Sequence, residues 1–396
     1  MAGHDITPFT IDVSADVLDD LRERLARTRW PADPDADNET WRYGVNKAYL
    51  KGLVAHWLGG YDWPATQAAM NAFPNYRVVV DDQPIHFVHV RGKGPNPQPL
   101  ILTHGFPWTY WDYRKVIGPL TDPAAHGGDP ADAFDVIVPS LPGYGFSNPA
   151  RKGVSARQTA DLWVKLMRDV LGYDRFISAG TDWGAVISVM LGYLYPKELK
   201  GIYVTTANFG PVLRNRFEGW DMSDLEPDEK EWFDREWRHK KGAGQVFRGP
   251  GNALRSPQTE SYGGHDSPVA LLTRIADTRH FAGDTHGDIA STFTADELIT
   301  NTMIYWVTET WWSAQRFYFN TARDTVPPFE GTGQAITTPT GMGLFPAEVF
   351  YVPKKLAQRD ANIVHWSYLS AGGHFACGEQ PVLYVDDLRT FCRKLT

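Results

Sequence analysis

The chain has 396 residues, 42% apolar and 22% charged, with 39 Lys and Arg against 47 Asp and Glu for a net charge of −8. That balance excludes a disordered chain and matches a soluble globular protein of two to three folding units, or one α/β domain with insertions. A net negative charge with no basic block argues against nucleic acid or an anionic membrane surface as partner.

Phe9–Val13 reads as a short strand. Ser14 is an N-cap before a helix over Ala15–Arg27, where Val17, Leu18, Leu21 and Leu25 fall at helical spacing until Pro31 and Pro34 end it. Further helices are expected over Lys47–Leu58 and Trp63–Ala72, so residues 1–73 form a helical N-terminal arm. From Tyr76 the period changes. Tyr76–Val80 and Ile85–Val90 read as a hairpin around Asp81–Pro84, and Leu100–Thr103 and Asp135–Val138 as short buried strands with a helix near Asp112–Leu120 between them. Helix Ser155–Leu171, strand Phe176–Ala179, helix Ala185–Leu194 and strand Ile202–Thr205 follow. Such alternation marks an α/β fold with a mostly parallel sheet and helices on both faces.

The alternation breaks at residues 209–330, which are charged, Trp-rich and helical, with the clearest helices at Asp228–Lys241 and Leu298–Asn320 and a loop at Gly242–Gly264. A segment of that length is too long for a loop and reads as a helical lid inserted into the sheet domain. The pattern resumes with strands Ile336–Thr340 and Val364–Leu369 and closes with helix Val382–Leu395. Residues 74–208 and 331–396 are therefore the two parts of one core. The two cysteines, Cys377 and Cys392, make no disulfide framework, and no run approaches the ~20 apolar residues of a membrane span. Met1–Thr10 has no basic start with an apolar core behind it, so the expected location is cytoplasmic. Aromatic residues, at 13%, fit a packed core or an aromatic-walled pocket for an apolar ligand.

Gly180-Thr181-Asp182-Trp183-Gly184 lies between an apolar strand and an apolar helix, with small residues two positions either side of Asp182. This is the G-x-Nu-x-G pattern of a nucleophile elbow, with Asp where Ser is usual. A carboxylate is a poor nucleophile toward amides but displaces a leaving group at sp³ carbon, leaving an alkyl ester on the enzyme. Hydrolysis of that ester needs a base, a carboxylate to orient it and an oxyanion hole. His374, in Ala371-Gly372-Gly373-His374-Phe375, follows the last strand and is the candidate base; Glu348 follows the strand before it and is the candidate partner, with Asp360 as competitor. The chain order nucleophile, acid, base is the one this architecture uses. The backbone N–H groups of Trp183 and Phe106 are the candidate oxyanion donors, and Phe106, Trp108 and Trp183 the candidate pocket wall. His104 reads as structural.

These segments resemble the epoxide hydrolases of the α/β-hydrolase fold, on the microsomal-type branch. The resemblance covers nearly the whole chain. Phe9-Thr10-Ile11 through Thr28-Arg29-Trp30-Pro31 resembles the N-terminal domain of that branch. His104-Gly105-Phe106-Pro107-Trp108 resembles its H-G-x-P motif, Asp266-Ser267-Pro268 and Gln315-Arg316-Phe317-Tyr318 its lid, and Phe345-Pro346-Ala347-Glu348 and Gly372-Gly373-His374-Phe375 its charge-relay segments. The resemblance implies that Asp182 opens an epoxide, that Tyr318 protonates the departing oxygen, and that His374 with Glu348 activates the water that releases a vicinal diol. It implies no metal or organic cofactor, and a small-molecule epoxide and water as the only partners. Relatives in natural-product pathways point to a bulky secondary-metabolite epoxide. The membrane anchor of microsomal members has no counterpart here. The family's second lid Tyr is also missing: the matching stretch, Arg248–Ala253, holds none. The N-terminal arm wraps its own core or mediates a homodimer.

Two other readings use the same residues. A haloalkane-type dehalogenase would share Asp182, His374 and the carboxylate, but would hold halide with indole N–H donors such as Trp183 and Trp108, and would not need Tyr318. A non-catalytic hydrolase-fold protein that binds an apolar ligand would be expected to lack part of the Asp182, Glu348 and His374 set.

Overall fold

Nine strands form one sheet, and their composition explains its two halves. The computed structural model describes residues 5–32, 41–206, 222–232, 234, 251–325 and 334–395. The strands are β1 (Thr7–Pro8), β2 (Asn75–Val80), β3 (Gln83–Val90), β4 (Gln98–Thr103), β5 (Phe134–Pro139), β6 (Phe176–Gly180), β7 (Leu199–Val204), β8 (Ile336–Leu344) and β9 (Ala361–Tyr368). They run in the order β1-β2-β3-β5-β4-β6-β7-β8-β9. The ladders from β1 to β5 are antiparallel, and those from β5 to β9 are parallel. Every residue of β5 and β6 is buried, as expected of central parallel strands covered on both faces. The β2–β3 hairpin turns on Asp81 and Asp82 alone, at φ 49° and 62°, so Gln83 and Pro84 belong to the strand and not to the turn.

The N-terminal part is helical: α1 (Ala15–Ala26), α2 (Lys47–Gly59) and α3 (Trp63–Asn71). Leu21 and Leu25 supply the buried face of α1, while Ser14 occupies the N-cap without a side-chain bond. Asn46 and Asp62 do cap α2 and α3, accepting from the amides of Tyr49 and Ala65. Phe9–Val13, expected as a strand, is irregular, because α3 side chains take its amides. Asn71 Oδ1 accepts from Ile11 N at 2.9 Å and Gln67 Oε1 from Val13 N at 3.0 Å. The strand of this region is β1 instead, paired with β2.

Helices α4 (Arg114–Thr121), α5 (Ala156–Val164) and α6 (Trp183–Leu194) connect the parallel strands, and α5 runs on as a π turn over Lys165–Val170. Between β7 and β8 the described residues hold α7 (Pro227–Trp232), α8 (Pro257–Asp266), α9 (Pro268–Ala282), α10 (Ala295–Val307) and α11 (Trp311–Thr321). Helices α12 (Lys354–Asp360), α13 (Ala376–Glu379) and α14 (Pro381–Cys392) complete the chain. Two expectations change here. The single helix over Leu298–Asn320 is two, broken where Glu309 takes φ 55° and the Thr308 and Thr310 hydroxyls bond each other. The loop over Gly242–Gly264 gives way to α8 from Pro257, a proline that favours a first helical turn. Of the helix expected over Asp228–Lys241, only α7 and Asp234 lie within the described residues. Among the described residues no helix is long and apolar enough to cross a membrane.

Glu297 ties the segment between β7 and β8 to the core. Its side chain closes a capping box with Thr294 at the start of α10 and also pairs with Arg114 at 2.5 Å and Lys115 at 2.8 Å. Burial would raise its carboxyl pKa, but Lys115 and Arg114 outweigh that and hold it near 2. A carboxylate depressed in the folded state stabilises it above the unfolded pKa, and that contribution is lost as pH falls toward 2. Glu297→Gln is expected to lower unfolding free energy by about 2 kcal/mol at pH 7. The gap between variant and parent should narrow as pH drops below about 4.5, measured by urea denaturation at a series of pH values.

Candidate active site

The sharp turn between β6 and α6 sets Asp182 at φ 51°, ψ −120°. Only very small neighbours allow it. A Cβ on Gly184 would lie 1.8 Å from the Thr103 carbonyl oxygen, and one on Gly180 would lie 2.3 Å from the Gly184 backbone. Across the gap, a Cβ on Gly105 would meet Asp182 Oδ1 at 2.3 Å. The three glycines thus let the β4 loop close on the carboxylate, and the Phe106 N–H donates to Asp182 Oδ1 at 2.8 Å. Trp183, the first residue of α6, follows directly.

Three loops at the C-terminal edge of the sheet meet at this carboxylate. The loops after β8 and β9 are held side by side by a parallel bridge between Ala347 and Gly373. That alignment brings Glu348 Oε1 to 2.8 Å from His374 Nδ1, while His374 Nε2 stands 3.3 Å from Asp182 Oδ2. Both Glu348 and His374 are buried. Glu348 Oε1 also accepts from the Val349 and Phe350 amides. Burial by itself would depress the imidazole pKa, but Glu348 and Asp182 on either side outweigh it and push it up to about 10. Asp360, the competing acid, is next to the first residue of β9, at the opposite end of that strand from His374. His104 is structural: its Nε2 accepts from Leu141 N, its Nδ1 donates to Gly105 O, and burial brings its pKa down to about 4.

Asp182 and His374 open into a cavity of about 240 Å³. Phe106, Trp183, Phe281 and Val349 form its apolar wall, with Tyr318 and Arg274 as polar members. Tyr318 reaches it from α11, its ring 4.7 Å from Trp183 and 5.4 Å from Phe106. Burial and the nearby Asp182 charge push its phenol pKa well up, so it is a neutral O–H donor. The Trp183 indole N–H is buried beside the Tyr318 phenol oxygen, and its donation partly offsets the upward push on that phenol. Among the described residues no group of three or more His, Cys, Asp or Glu is arranged to hold a metal ion.

Similar proteins match nearly the whole chain. The epoxide hydrolase N-terminus family matches residues 6–113, and the alpha/beta hydrolase fold family matches residues 98–286. A relative from Stigmatella aurantiaca is 38% identical over 98% of this chain and 85% of its own. Epoxide hydrolase 1 of Oryctolagus cuniculus is 31% identical over 98% of this chain and 88% of its own. The chain belongs to the epoxide hydrolases. Among solved structures, the juvenile hormone epoxide hydrolase of the silkworm Bombyx mori superposes with a TM-score of 0.84 at 26% identity, covering 99% of this chain and 95% of that one.

Two residues separate this epoxide hydrolase from its sequence reading. Trp108, expected in the pocket wall, does not line the cavity. Its loop turns Phe106 toward Asp182 and buries Trp108 behind His374, with its ring 4.8 Å from Phe375 and the Arg279 guanidinium over it. Thr206 was missed. Its hydroxyl donates to Glu348 Oε2 at 2.7 Å and accepts from Asp182 N at 3.1 Å. The available signal was its position just past β7, at the strand end where an open α/β sheet gathers its site. The stretch Arg248–Pro250, compared with the family's second Tyr, lies outside the described residues. Thr206→Val should lower kcat about tenfold by freeing Glu348 while leaving the thermal midpoint within a few degrees, measured by steady-state kinetics and calorimetry on the same preparation.

Proposed function

We propose that the chain hydrolyses an epoxide to a vicinal diol through a covalent ester on Asp182. The observation that carries this is the division of labour between the two carboxylate oxygens: Oδ1 accepts the Phe106 N–H, and Oδ2 faces His374 and the cavity. Oδ2 attacks an epoxide carbon, the C–O bond breaks, and the departing oxygen takes the Tyr318 phenol proton. The ester no longer carries the Asp182 charge, so His374 loses one of the two anions that raise its pKa. Its proton returns Tyr318 to the phenol and leaves a neutral imidazole. His374, oriented by Glu348, then removes a proton from water as that water attacks Asp182 Cγ. Negative charge collects on Oδ1, which already accepts the Phe106 N–H, with the Trp183 N–H as the second donor in this reading. The Cγ–Oδ2 bond breaks, and Oδ2 leaves as a product hydroxyl with the proton from His374.

In the same reading residues 209–330 act as a helical lid that brings Tyr318 over the nucleophile, and residues 1–73 as an arm on the core. The natural-product substrate rests on the resemblance alone. The cavity supports a smaller one: a cavity of about 150 Å³ holds benzene, so 240 Å³ accommodates one aromatic ring with an oxirane and a short substituent. The buried Trp183 indole N–H at the cavity wall is the observation that favours dehalogenation as a second reading, and halide release from a haloalkane tests it.

A single turnover of styrene oxide in oxygen-18 water tests the ester. The expected first diol carries ordinary oxygen, with the label in the peptide that contains Asp182. Label in the first diol would mean direct attack by water and would overturn the mechanism. A second expectation follows from the His374 proton. Ester breakdown should slow as pH is lowered through the imidazole pKa of the ester, while ester formation does not. Intact-protein mass spectrometry of quenched reactions should therefore show more ester at acid pH, and equal amounts across the range would exclude His374 as the base.

A further inference from the structure

Helix α9 presents one face to the reaction cavity. Arg274, Thr278, Phe281 and Ala282 all line it, at the spacing of successive helical turns. Ala282 also anchors the site, its carbonyl accepting the His374 backbone N–H at 2.9 Å. Arg274 is the one charged residue on this face, and it has no role in the reaction described above.

The other charged groups of the region have partners. Asp182 and His374 face each other, His374 has Glu348, and the neighbouring Arg279 is buried against Asp112 at 2.6 Å with its guanidinium over Phe375. Half-buried Arg274, by contrast, makes no ion pair and no side-chain hydrogen bond with any described residue. A guanidinium held beside an apolar wall with no partner among the described residues gives up hydration without an equal return from them. A ligand that brings its own anion recovers that loss.

We propose that Arg274 is a specificity residue that receives a carboxylate carried by the epoxide substrate, whose remainder fills the apolar cavity. The planar guanidinium fork matches the two oxygens of one carboxylate, and the Thr278 hydroxyl beside it already donates to the Arg274 carbonyl at 2.9 Å, which leaves the described lining few donors for a phosphate dianion. Eight residues of helix, about 12 Å of rise, separate Arg274 from Ala282 beside His374. Arg274 and Asp182 line the same cavity of about 240 Å³, so an anion on one and an oxirane at the other fit a single small molecule. Arg274 is also near enough to Tyr318 for its charge to counter part of the upward push on the phenol. The substrate class is therefore an aryl or similarly sized epoxide with a carboxylate at the far end. This rests on the epoxide-opening reading.

The test compares para-carboxystyrene oxide with its methyl ester in the parent enzyme, Arg274→Leu and Arg274→Lys. The ratio of kcat/KM for acid over ester is expected to fall at least about tenfold in Arg274→Leu, mainly through KM, and to be partly restored in Arg274→Lys. A ratio that does not change would overturn the proposal. Calorimetric titration of the diol product, para-(dihydroxyethyl)benzoate, into parent and Arg274→Leu needs no turnover. A weaker Kd by about tenfold in the variant supports the anion site; equal Kd values, or no binding to the parent, overturn it. If neither epoxide yields diol but the benzoate still binds through Arg274, the epoxide-opening reading fails and the anion site stands.

Discussion

The backbone of Asp182 is held where few residues other than glycine go, and the rest of the site depends on that constraint. A left-handed φ of 51° is costly for an aspartate, on the order of 1–3 kcal/mol, and survives only where its surroundings over-determine it. Here the surroundings are three glycines and the β4 strand end. Gly184 lies so close to Thr103 that α6 can start only at one point on the sheet, and Gly105 lets the oxyanion loop reach the carboxylate itself. A tight turn at the end of a parallel strand lifts the carboxylate clear of the sheet edge, into the space beneath α9 and α11.

A second constraint follows from the first. A raised nucleophile is useful only if its two oxygens are treated differently, and they are. One faces a fixed amide; the other faces an imidazole and the cavity. Thr206 completes the loop by bonding both the Asp182 amide and Glu348, so nucleophile and charge relay share one hydroxyl. Strands β4, β6, β7, β8 and β9 each contribute a group at the same edge, which explains why a parallel sheet suits this chemistry.

Electrostatics in the cavity are set by burial as much as by charge. His374 would lose its proton readily if burial acted alone, and keeps it because two carboxylates flank it. In the proposed reaction, esterification of Asp182 would remove one of those charges and so change what the imidazole can do. Tyr318 is the complementary case, a phenol that burial and Asp182 keep protonated, which is the state the proposed reaction requires of it.

Much of this was legible in the sequence, for local reasons. Strand-to-helix turns declare themselves through small residues at fixed offsets, so Gly180 to Gly184 marked the nucleophile. Apolar periodicity marked the parallel strands, and chain order singled out Glu348 and His374. What stayed hidden depended on long-range packing. Phe9–Val13 has the composition of a strand, yet Asn71 and Gln67 take its amides. Leu298–Asn320 keeps a helical period through a break made by one residue at positive φ. Trp108 is as aromatic as Phe106 and two residues away, but only the fold decides which of them faces the nucleophile. Thr206 and Arg274 carry no local pattern at all. Their meaning comes from what the sheet edge and α9 bring within reach. Sequence by itself supplied the candidate reactive groups and their order, because reactivity belongs to residue type and turn geometry. Only the tertiary structure decided which polar side chains share a cavity, because that follows from contacts between residues far apart in the chain.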